Sequence, residues 1–259
     1  MSTISTIDDR DYEFLESQVN GFLDQYEAAQ SGIAYLLRRP RSTAAAFASA
    51  RRLPTLRVSS SETVEGRAVR RELSRGARRL RTPLHNVSGA ITIPVAFDEY
   101  EAGPSKQTLR RKVRAAQKRG VTYEVVTDPA LRRELVDIAD AYERANPRER
   151  YRADSPSNAD LLDYDLWLLA RTAAGTPLLL SVTPIDDGVA ALRYFRTLSA
   201  SPEASDARYL MTWALVRELT GRHVHHLVDT TISMHLSHGL RHFQRMVGFR
   251  LLRLEVVED

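Results

Sequence analysis

Residues 97–126 read FDEYEAGPSKQTLRRKVRAAQKRGVTYEVV, and this stretch predicts a basic helix followed directly by a β-strand. The apolar residues that recur at helical spacing form one stripe: Leu109, Val113 and Ala116. Ser105 is suited to cap the start of this helix, and Gly120 can adopt the left-handed conformation that ends one. Residues 121–126 are rich in β-branched and aromatic side chains, as is typical of a strand. The chain thus changes from the apolar spacing of a helix to the residue types of a strand, which indicates an α/β fold.

The remaining elements alternate between helices and strands toward the C-terminus. Predicted helices cover residues 12–37 with a break around Gly32, 63–81, 130–145, 158–173, 206–220 and 236–247. Predicted strands cover residues 90–97, 177–184, 189–198 and 249–257, and a further strand ends at Asp229. The sequence Asp186-Asp187-Gly188 is a strong hairpin signal. We therefore expect a mixed sheet with helices on both faces, divided into a helical, Arg-rich section over 1–100 and an α/β domain over 101–259.

Composition limits the possible functions. The chain of 259 residues can bury a sizeable core, and it contains no cysteine, which excludes disulfides, thiolate catalysis and a Cys-based zinc site. No apolar run approaches the roughly 20 residues that span a bilayer. The N-terminus is acidic where a signal peptide would be basic. We therefore expect a soluble, cytoplasmic protein without a membrane span, and the sequence leaves its oligomeric state open.

Charge is distributed unevenly along the chain. Residues 1–37 carry one arginine and seven acidic residues, whereas residues 38–119 carry 17 arginines, three lysines and six acidic residues. The remainder has 16 arginines and 20 acidic residues, which gives the formal net charge of +4. A segment of such positive density is typical of proteins that bind nucleic acid or phosphorylated ligands. A coding bias is an alternative explanation, because arginine outnumbers lysine by 34 to 3.

The predicted helix over 63–81 concentrates arginines on one arc: Arg67, Arg70, Arg71, Arg78 and Arg81. Guanidinium groups so close together repel each other, and phosphate oxygens would relieve that repulsion. The neighbouring acids Glu62, Glu65 and Glu72 allow a second interpretation, in which the arc is an ordinary solvated face. Both interpretations stay open at the level of sequence.

Several phrases of the chain resemble the GNAT superfamily of acyltransferases and, within it, the Fem-type branch. The phrase F-x-x-Y…S-x-x-x-R-x-x-x-R-x-A has counterparts here at Phe97, Tyr100, Ser105, Leu109, Val113 and Ala115, with basic positions shifted to Arg110 and Arg114. Residues 238–245, HGLRHFQR, followed by Gly248-Phe249, are similar to a family helix and strand of the form G-x-x-x-F-K…G-F. The strand end at Asp229 is similar to a family strand that ends in F-D. Together with the order of elements, the likeness covers roughly half of the chain.

This resemblance implies a GNAT-like fold, with a degenerate GNAT-like half in the N-terminal section, and an aminoacyl donor on tRNA. GNAT enzymes that use acetyl-CoA hold its pyrophosphate with a glycine-containing loop at a helix N-terminus, where backbone N–H groups bind the anion. Here residues 201–208 read SPEASDAR, with two acids and no glycine. Acetyl-CoA is therefore the less favoured donor, and no tightly bound cofactor is expected. Gln244 stands where the family often has a phosphate-reading lysine, for which Arg241 or Arg245 are possible substitutes.

The resemblance also implies where donor and acceptor meet, namely near 193–197 and 228–231. Candidate catalytic residues are Asp229, Tyr194 and Thr230: the Asp229 carboxylate to accept a proton from the acceptor ammonium, and the Tyr194 hydroxyl to protonate the leaving oxygen. Structural roles are the alternatives, with Asp229 capping its turn through Thr230 and Thr231, and Tyr194 as a buried aromatic. The candidate donor and tRNA contacts are Arg67, Arg70, Arg71, Arg78, Arg110, Arg114, Lys118 and Arg208. Asp206 is expected as the N-cap of the helix that carries Arg208.

The candidate acceptor pocket consists of Arg193, His225, His238 and His242. His235, His238 and His242 share a helical stripe, but their spacing lacks a carboxylate and matches no metal signature, so no metal is expected. Three hypotheses follow. The first is an enzyme that forms an amide by moving an aminoacyl group from aminoacyl-tRNA to a small-molecule or peptidyl amine. The second is an acetyl-CoA-dependent N-acetyltransferase, and the third is a non-catalytic RNA-binding protein on the same fold.

Overall fold

The computed structural model describes residues 3–5, 7–29, 32–74, 82–146, 149 and 152–257, without the side chains of residues 32 and 33. These residues form two compact units. Unit 1 comprises Met1–Ile93, Asp186–Ala191 and Val224–Asp259, and unit 2 comprises Pro94–Ile185 and Leu192–His223. This division differs from the expected one at residue 100, because the C-terminal strands and helix rejoin the N-terminal section.

The elements alternate as the sequence indicates. The strands are β1 Thr3–Ile4, β2 Thr55–Ser59, β3 Val87–Thr92, β4 Thr122–Val125, β5 Leu166–Arg171, β6 Pro177–Thr183, β7 Ile185–Asp186, β8 Val189–Leu192, β9 Tyr194–Thr197, β10 His226–Ile232 and β11 Arg250–Val257. The helices are α1 Asp9–Ala28, α2 Gly32–Arg38, α3 Pro40–Arg52, α4 Val64–Ser74, α5 Phe97–Glu101, α6 Gln107–Lys118, α7 Pro129–Arg144, α8 Glu203–Thr220 and α9 His238–Val247.

Unit 1 is built on a seven-stranded mixed sheet in the order β1-β2-β11-β3-β10-β8-β7. Strand β11 pairs parallel with β2 and antiparallel with β3, and β3 also pairs antiparallel with β10. Helices α1 and α3 cover one face, where Leu15, Phe22 and Ala50 pack with Val87 and Leu251. Helix α4 covers the other face through a cluster formed by Val69, Leu73, Leu56, Val58, Ala90, Val228 and Leu252. The predicted mixed sheet flanked by helices is confirmed.

Unit 2 contains an antiparallel four-stranded sheet in the order β4-β5-β6-β9. Helix α8 packs on β5 and β6 and also against α6. The predicted apolar stripe of α6 is buried: Leu109, Val113 and Ala116. Gly120 has a φ of 75° and ends this helix as predicted. Among the described residues, no helix combines the length and the apolar character needed to cross a membrane.

Three local predictions are wrong. Residues 158–173 were predicted as a helix, but they form a short 3-10 helix over Ala159–Asp163 and then strand β5. The run LWLLA is apolar on both faces because β5 is a buried inner strand, and such a run has no period that separates a strand from a helix. Ser105 does not cap α6, because the 3-10 helix Pro104–Lys106 precedes it. Asp206 is not an N-cap, since α8 begins at Glu203.

The hairpin prediction holds in outline. Asp187 and Gly188 have φ values of 43° and 76°, as a tight two-residue turn requires. The strands around this turn are each interrupted, so that β7 and β8 belong to the seven-stranded sheet while β6 and β9 pair in the four-stranded one.

Candidate functional site

Asp229 lies at an irregular point of β10. The pairing of β10 with β3 joins Val228 to Ala90 and Ile232 to Ser88, so that three residues separate the partners on β10 and only one separates them on β3. The bulge therefore contains Asp229, Thr230 and Thr231. The Thr231 N–H donates to Oδ1 of Asp229 at 2.7 Å, so the turn-capping role considered from the sequence is observed. Bulges of this kind commonly redirect side chains next to active sites.

The second oxygen of Asp229 has its own partner. Oδ2 accepts a hydrogen bond from the side-chain amide of Gln244 on α9, at 2.5 Å. Ser237 caps α9 and Gly248 ends it with a φ of 100°, so Gln244 sits on a helix with two defined ends. Gly89 of β3 provides room for this amide, because a Cβ atom there would lie 3.0 Å from Oε1 of Gln244. Gln244 therefore holds one oxygen of the Asp229 carboxylate by a side-chain hydrogen bond.

Burial determines the proton affinity of Asp229. Loss of solvation raises the pKa of its carboxyl from 3.8 to about 6, although the hydrogen bonds from Thr231 and Gln244 lower it. Partial burial disfavours the anion because it removes water from the charge. A carboxylate with a pKa near 6 is ionised at pH 7 and still holds a proton more strongly than an ordinary aspartate. This property suits a general base.

Tyr194 and Thr230 differ in their settings. Tyr194 lies on β9 in unit 2, is 2% exposed, and has a pKa raised well above its ordinary value by burial and by the charge of Glu143. These features are those of a buried aromatic residue, the alternative considered from the sequence. Thr230 lies in the bulge between Asp229 and Thr231, in unit 1. The catalytic candidates are thus divided between the two units.

The residues predicted for the acceptor pocket contact different partners. Arg193 of unit 2 forms an ion pair with Asp160, with Nε 3.0 Å from the nearer carboxylate oxygen. In unit 1, the ring of His225 lies against Gly188, and Nδ1 of His238 lies 3.0 Å from Oδ1 of Asp24. His242 is exposed on α9. Among the described residues, no group of three or more His, Asp or Glu side chains is arranged to hold a metal ion.

The arginines of α4 are engaged with acidic neighbours. Arg70 Nη2 lies 2.7 Å from Oε1 of Glu62, and Arg67 donates to the carbonyl of the same residue. Arg71 lies 3.4 Å from the buried carboxylate of Glu72. Arg78 and Arg81, predicted for the same arc, lie outside the described residues. Two of the three glutamates anticipated as neighbours, Glu62 and Glu72, therefore pair with arginines of this helix.

Helix α4 also lies on the opposite face of the seven-stranded sheet from Asp229. Val228 packs with Val69 and Leu73 of α4. Successive side chains of a strand point to opposite faces, and Asp229 accordingly contacts Gln244 of α9. The sheet therefore separates the arginines of α4 from Asp229, and a ligand could contact both only by extending around an edge of the sheet.

The basic residues of α6 fall into two sets. Lys112 Nζ and Arg119 Nη1 lie 2.9 and 2.7 Å from the two oxygens of Asp206, which is 3% exposed in the first turn of α8. Arg110 donates to the carbonyls of Glu101 and Gly103. The exposed set is Arg111, Arg114 and Lys118.

The exposed set forms a continuous stripe, because positions separated by three and four residues lie on one side of a helix. We call these three residues the α6 stripe. Among the described residues, no carboxylate forms an ion pair with any of them. Sequence reasoning selected Arg110 with Arg114 and Lys118, whereas the exposed set contains Arg111 and Arg110 is partly buried. The signal that could have identified Arg111 is its spacing of three from Arg114 and seven from Lys118.

The other basic candidates differ in their exposure and in their partners. Arg208 is partly buried on α8, where its carbonyl accepts a hydrogen bond from the Thr212 hydroxyl. Arg241, one of the possible substitutes for a phosphate-reading lysine, is 2% exposed and pairs with Asp24 and Glu27 of α1. Arg245, the other substitute, is exposed on α9.

Comparison with known proteins gives likenesses of fold. Searches of protein-family models and of curated proteins find no match. Among solved structures, the chain is similar to FemX, with 12% identity over 65% of this chain and 60% of that one, at a TM-score of 0.49. It is similar to L-PGS from Bacillus licheniformis, with 14% identity over 66% and 60% of the two chains, at a TM-score of 0.48.

A third match is the C-terminal domain (DUF2156) of a protein described as a lysylphosphatidylglycerol synthetase, from Agrobacterium fabrum. It is 17% identical over 55% of this chain and 45% of that one, at a TM-score of 0.42. This chain therefore spans between 45% and 60% of the length of the three matched structures.

Proposed function

We propose that this protein is an aminoacyltransferase that forms an amide bond by moving an aminoacyl group from aminoacyl-tRNA to the amine of a small-molecule or peptidyl acceptor. The observation that carries this proposal is the setting of Asp229. A carboxylate in a strand bulge, held by Thr231 and Gln244 and with a pKa raised to about 6, has the properties of a general base. Because the donor is charged tRNA, the proposal includes a cytoplasmic location.

The proposed reaction requires two proton transfers. The acceptor amine is an ammonium ion near pH 7 and cannot attack until it loses a proton, which Asp229 accepts. The neutral nitrogen then attacks the ester carbonyl, the new C–N bond forms, and the C–O bond to the ribose breaks. A second proton from the nitrogen goes to the leaving ribose oxygen. The products are an amide and a deacylated tRNA, and no covalent enzyme intermediate is needed.

The choice of tRNA over acetyl-CoA is supported by Asp206 and by the α6 stripe. The first turn of α8 corresponds to the place where CoA-dependent relatives hold a pyrophosphate. Here it contains the Asp206 carboxylate, already paired with Lys112 and Arg119. Asp206 thereby occupies the two cations that a pyrophosphate would otherwise contact there. The exposed cations Arg111, Arg114 and Lys118 suit an extended phosphate backbone instead.

A turnover assay tests the proposal. The protein is offered mixed aminoacyl-tRNA or, separately, acetyl-CoA together with a panel of amines, and products are detected by mass shift. We expect aminoacylated products from the tRNA donor only. Asp229→Asn should reduce the rate by about 100-fold or more, the usual contribution of a general base. Asp11→Asn, which changes an exposed aspartate of the same unit, should leave the rate unchanged.

Two outcomes would reject the proposal. Acetylated amines formed from acetyl-CoA would identify a CoA-dependent N-acetyltransferase. Tight tRNA binding without any product from the amine panel would favour a non-catalytic RNA-binding protein. Full activity of Asp229→Asn would reject the assignment of the base even if the tRNA donor were correct.

A further inference from the structure

Unit 1 contains a cavity that neither the proposed reaction nor the sequence motifs explain. Its volume is about 390 Å³, and its lining residues are Arg51, Thr82, Pro83, Asn86 and Arg253. Arg51 lies in the last turn of α3, Arg253 lies on β11, and Pro83 and Asn86 delimit a short 3-10 helix. Sites for small molecules typically have volumes of roughly 300–1,000 Å³, so this cavity can accept an organic ligand.

Two arginines, Arg51 and Arg253, are among the residues that line this cavity, and no acidic residue is. Arg253 donates from Nη1 to the carbonyl oxygen of Arg51 at 2.8 Å, which fixes its side chain beside the end of α3. Within the described part of the chain, no carboxylate forms an ion pair with Arg51 or Arg253. The pattern differs elsewhere in unit 1, where Arg57 pairs with Glu255 and Arg250 with Glu16. The cavity therefore has a local excess of positive charge.

Neutral polar groups complete the lining. The Thr82 hydroxyl lies 2.7 Å from Nδ1 of His85, and burial, followed by the charge of His235, lowers the pKa of His85. Both effects favour the neutral form of His85. The side chain of Asn86 is exposed at the cavity and offers both a donor and an acceptor. Polar groups of this kind suit a ligand that combines an anionic head with an uncharged polar body.

We propose that this cavity binds a small phosphorylated molecule, with the phosphate held between Arg51 and Arg253. The planar fork of a guanidinium group matches two phosphate oxygens, and two such forks match the double charge of a phosphomonoester better than a single carboxylate. Thr82 and Asn86 then contact the organic part of the ligand. The inference does not depend on aminoacyl transfer, since it concerns binding alone.

Calorimetric titration at fixed ionic strength tests this site, with inorganic phosphate and adenosine monophosphate as probes. We expect both to bind, and adenosine monophosphate to bind more tightly because it also fills the body of the cavity. Arg51→Ala and Arg253→Ala should each weaken binding by about tenfold or more, as expected for the loss of a charged hydrogen-bond donor. The matched control is Arg52→Ala, which removes the same charge from the next residue of α3, outside the lining. It should bind as the wild type does.

Arg253→Lys is a control for loss of folding in the alanine variants, because it keeps the positive charge and removes only the planar guanidinium group. We expect it to fold as the wild type does and to bind phosphate more weakly. The inference is overturned if Arg52→Ala weakens binding as much as Arg51→Ala, because the effect would then be one of overall charge. It is also overturned if phosphate binds no better than chloride, or if a short single-stranded RNA competes for the two arginines more strongly than adenosine monophosphate.

Discussion

The Asp229 carboxyl should lower the stability of the folded protein at neutral pH. Its pKa is about 6 in the fold against an ordinary 3.8, so above pH 6 the folded state bears the cost of an anion that is partly removed from water. As the pH falls from 6 to 3.8, the folded carboxyl takes up a proton that the unfolded one does not, and this cost disappears. A group with this behaviour is expected at a functional site, where activity is retained at the expense of stability.

Asp229→Asn should therefore be more stable than the wild type at pH 7 to 8, by up to roughly 2–3 kcal/mol according to the pKa difference. The gain should shrink as the pH is lowered toward 4, because the wild-type carboxyl is then neutral too. Urea unfolding of both proteins at several pH values measures this difference. Asp11→Asn should show no such trend, and a difference that is constant with pH would contradict the raised pKa.

Gln244 should set the pH at which Asp229 becomes active. Its amide donates to the ionised form of the carboxyl, so Gln244→Met removes a stabilising donor and should raise the pKa of Asp229 further. We expect the acid limb of the pH–rate profile to move upward by about one unit. Gln244→Lys places a cation beside the carboxylate and should move the same limb downward.

The control for this pair is Gln18→Met, which changes an exposed glutamine on α1 of the same unit. Gly89→Ala tests the role of Gln244 in a second way. The new Cβ atom would lie 3.0 Å from Oε1 of Gln244 and should displace its amide from Asp229. Gly239→Ala introduces the same methyl group into open space on α9. If Gln244→Met, Gln244→Lys and Gly89→Ala all kept the wild-type pH profile, Gln244 would have no positioning role.

Among the elements, helix α6 is where we expect the phosphate backbone of tRNA to bind. The triple change Arg111→Gln, Arg114→Gln and Lys118→Gln removes three exposed charges without touching the buried stripe or the pairs of Asp206. We expect tRNA affinity to fall by about tenfold or more, and the slope of log affinity against log salt to decrease by roughly 2–3. Filter binding over a range of salt concentrations measures both.

The matched control removes three exposed arginines elsewhere in unit 2, by changing Arg133, Arg144 and Arg222 to Gln. It alters the net charge by the same amount and should reduce affinity much less. Arg70→Gln should also have a small effect, because Glu62 already neutralises this side chain. An equal loss of affinity in the control triple would mean that overall charge, and not α6, governs binding.

The elements that the sequence predicts well are those with a clear period and a defined end. Helix α6 has a buried stripe and the left-handed Gly120, and the hairpin turn has Asp187 and Gly188 with positive φ. Strand β5 was missed because a buried inner strand is apolar on both faces and shows no alternation. For the candidate site, the sequence singles out Asp229 and, on α6, Arg114 and Lys118, and these assignments stay predictions. The pairing of Asp206 with Lys112 and Arg119 depends on the packing of α6 against α8, which no local pattern records.

For the whole molecule, the mixed α/β class follows from the alternation of elements, but the division into units does not. Strand β3 pairs with both β10 and β11, which lie more than 130 residues later in the chain. Long-range pairing of this kind depends on tertiary packing, and hydrophobic periodicity carries no information about it. The sequence therefore suggests a boundary near residue 100, whereas the sheet joins residues on both sides of it.

This pairing predicts the fate of a fragment that covers residues 101–259. In the fragment, β11 loses both of its neighbours, β2 and β3, and β10 loses β3. Both strands would then have unpaired edges. We expect the fragment to aggregate or to lack a cooperative urea transition, as followed by far-UV circular dichroism. Co-expression with residues 1–100 as a separate chain should restore a soluble complex, because it returns β2, β3 and the helices that cover the sheet. A fragment 101–259 that folds cooperatively by itself would show that the seven-stranded sheet does not depend on its N-terminal strands.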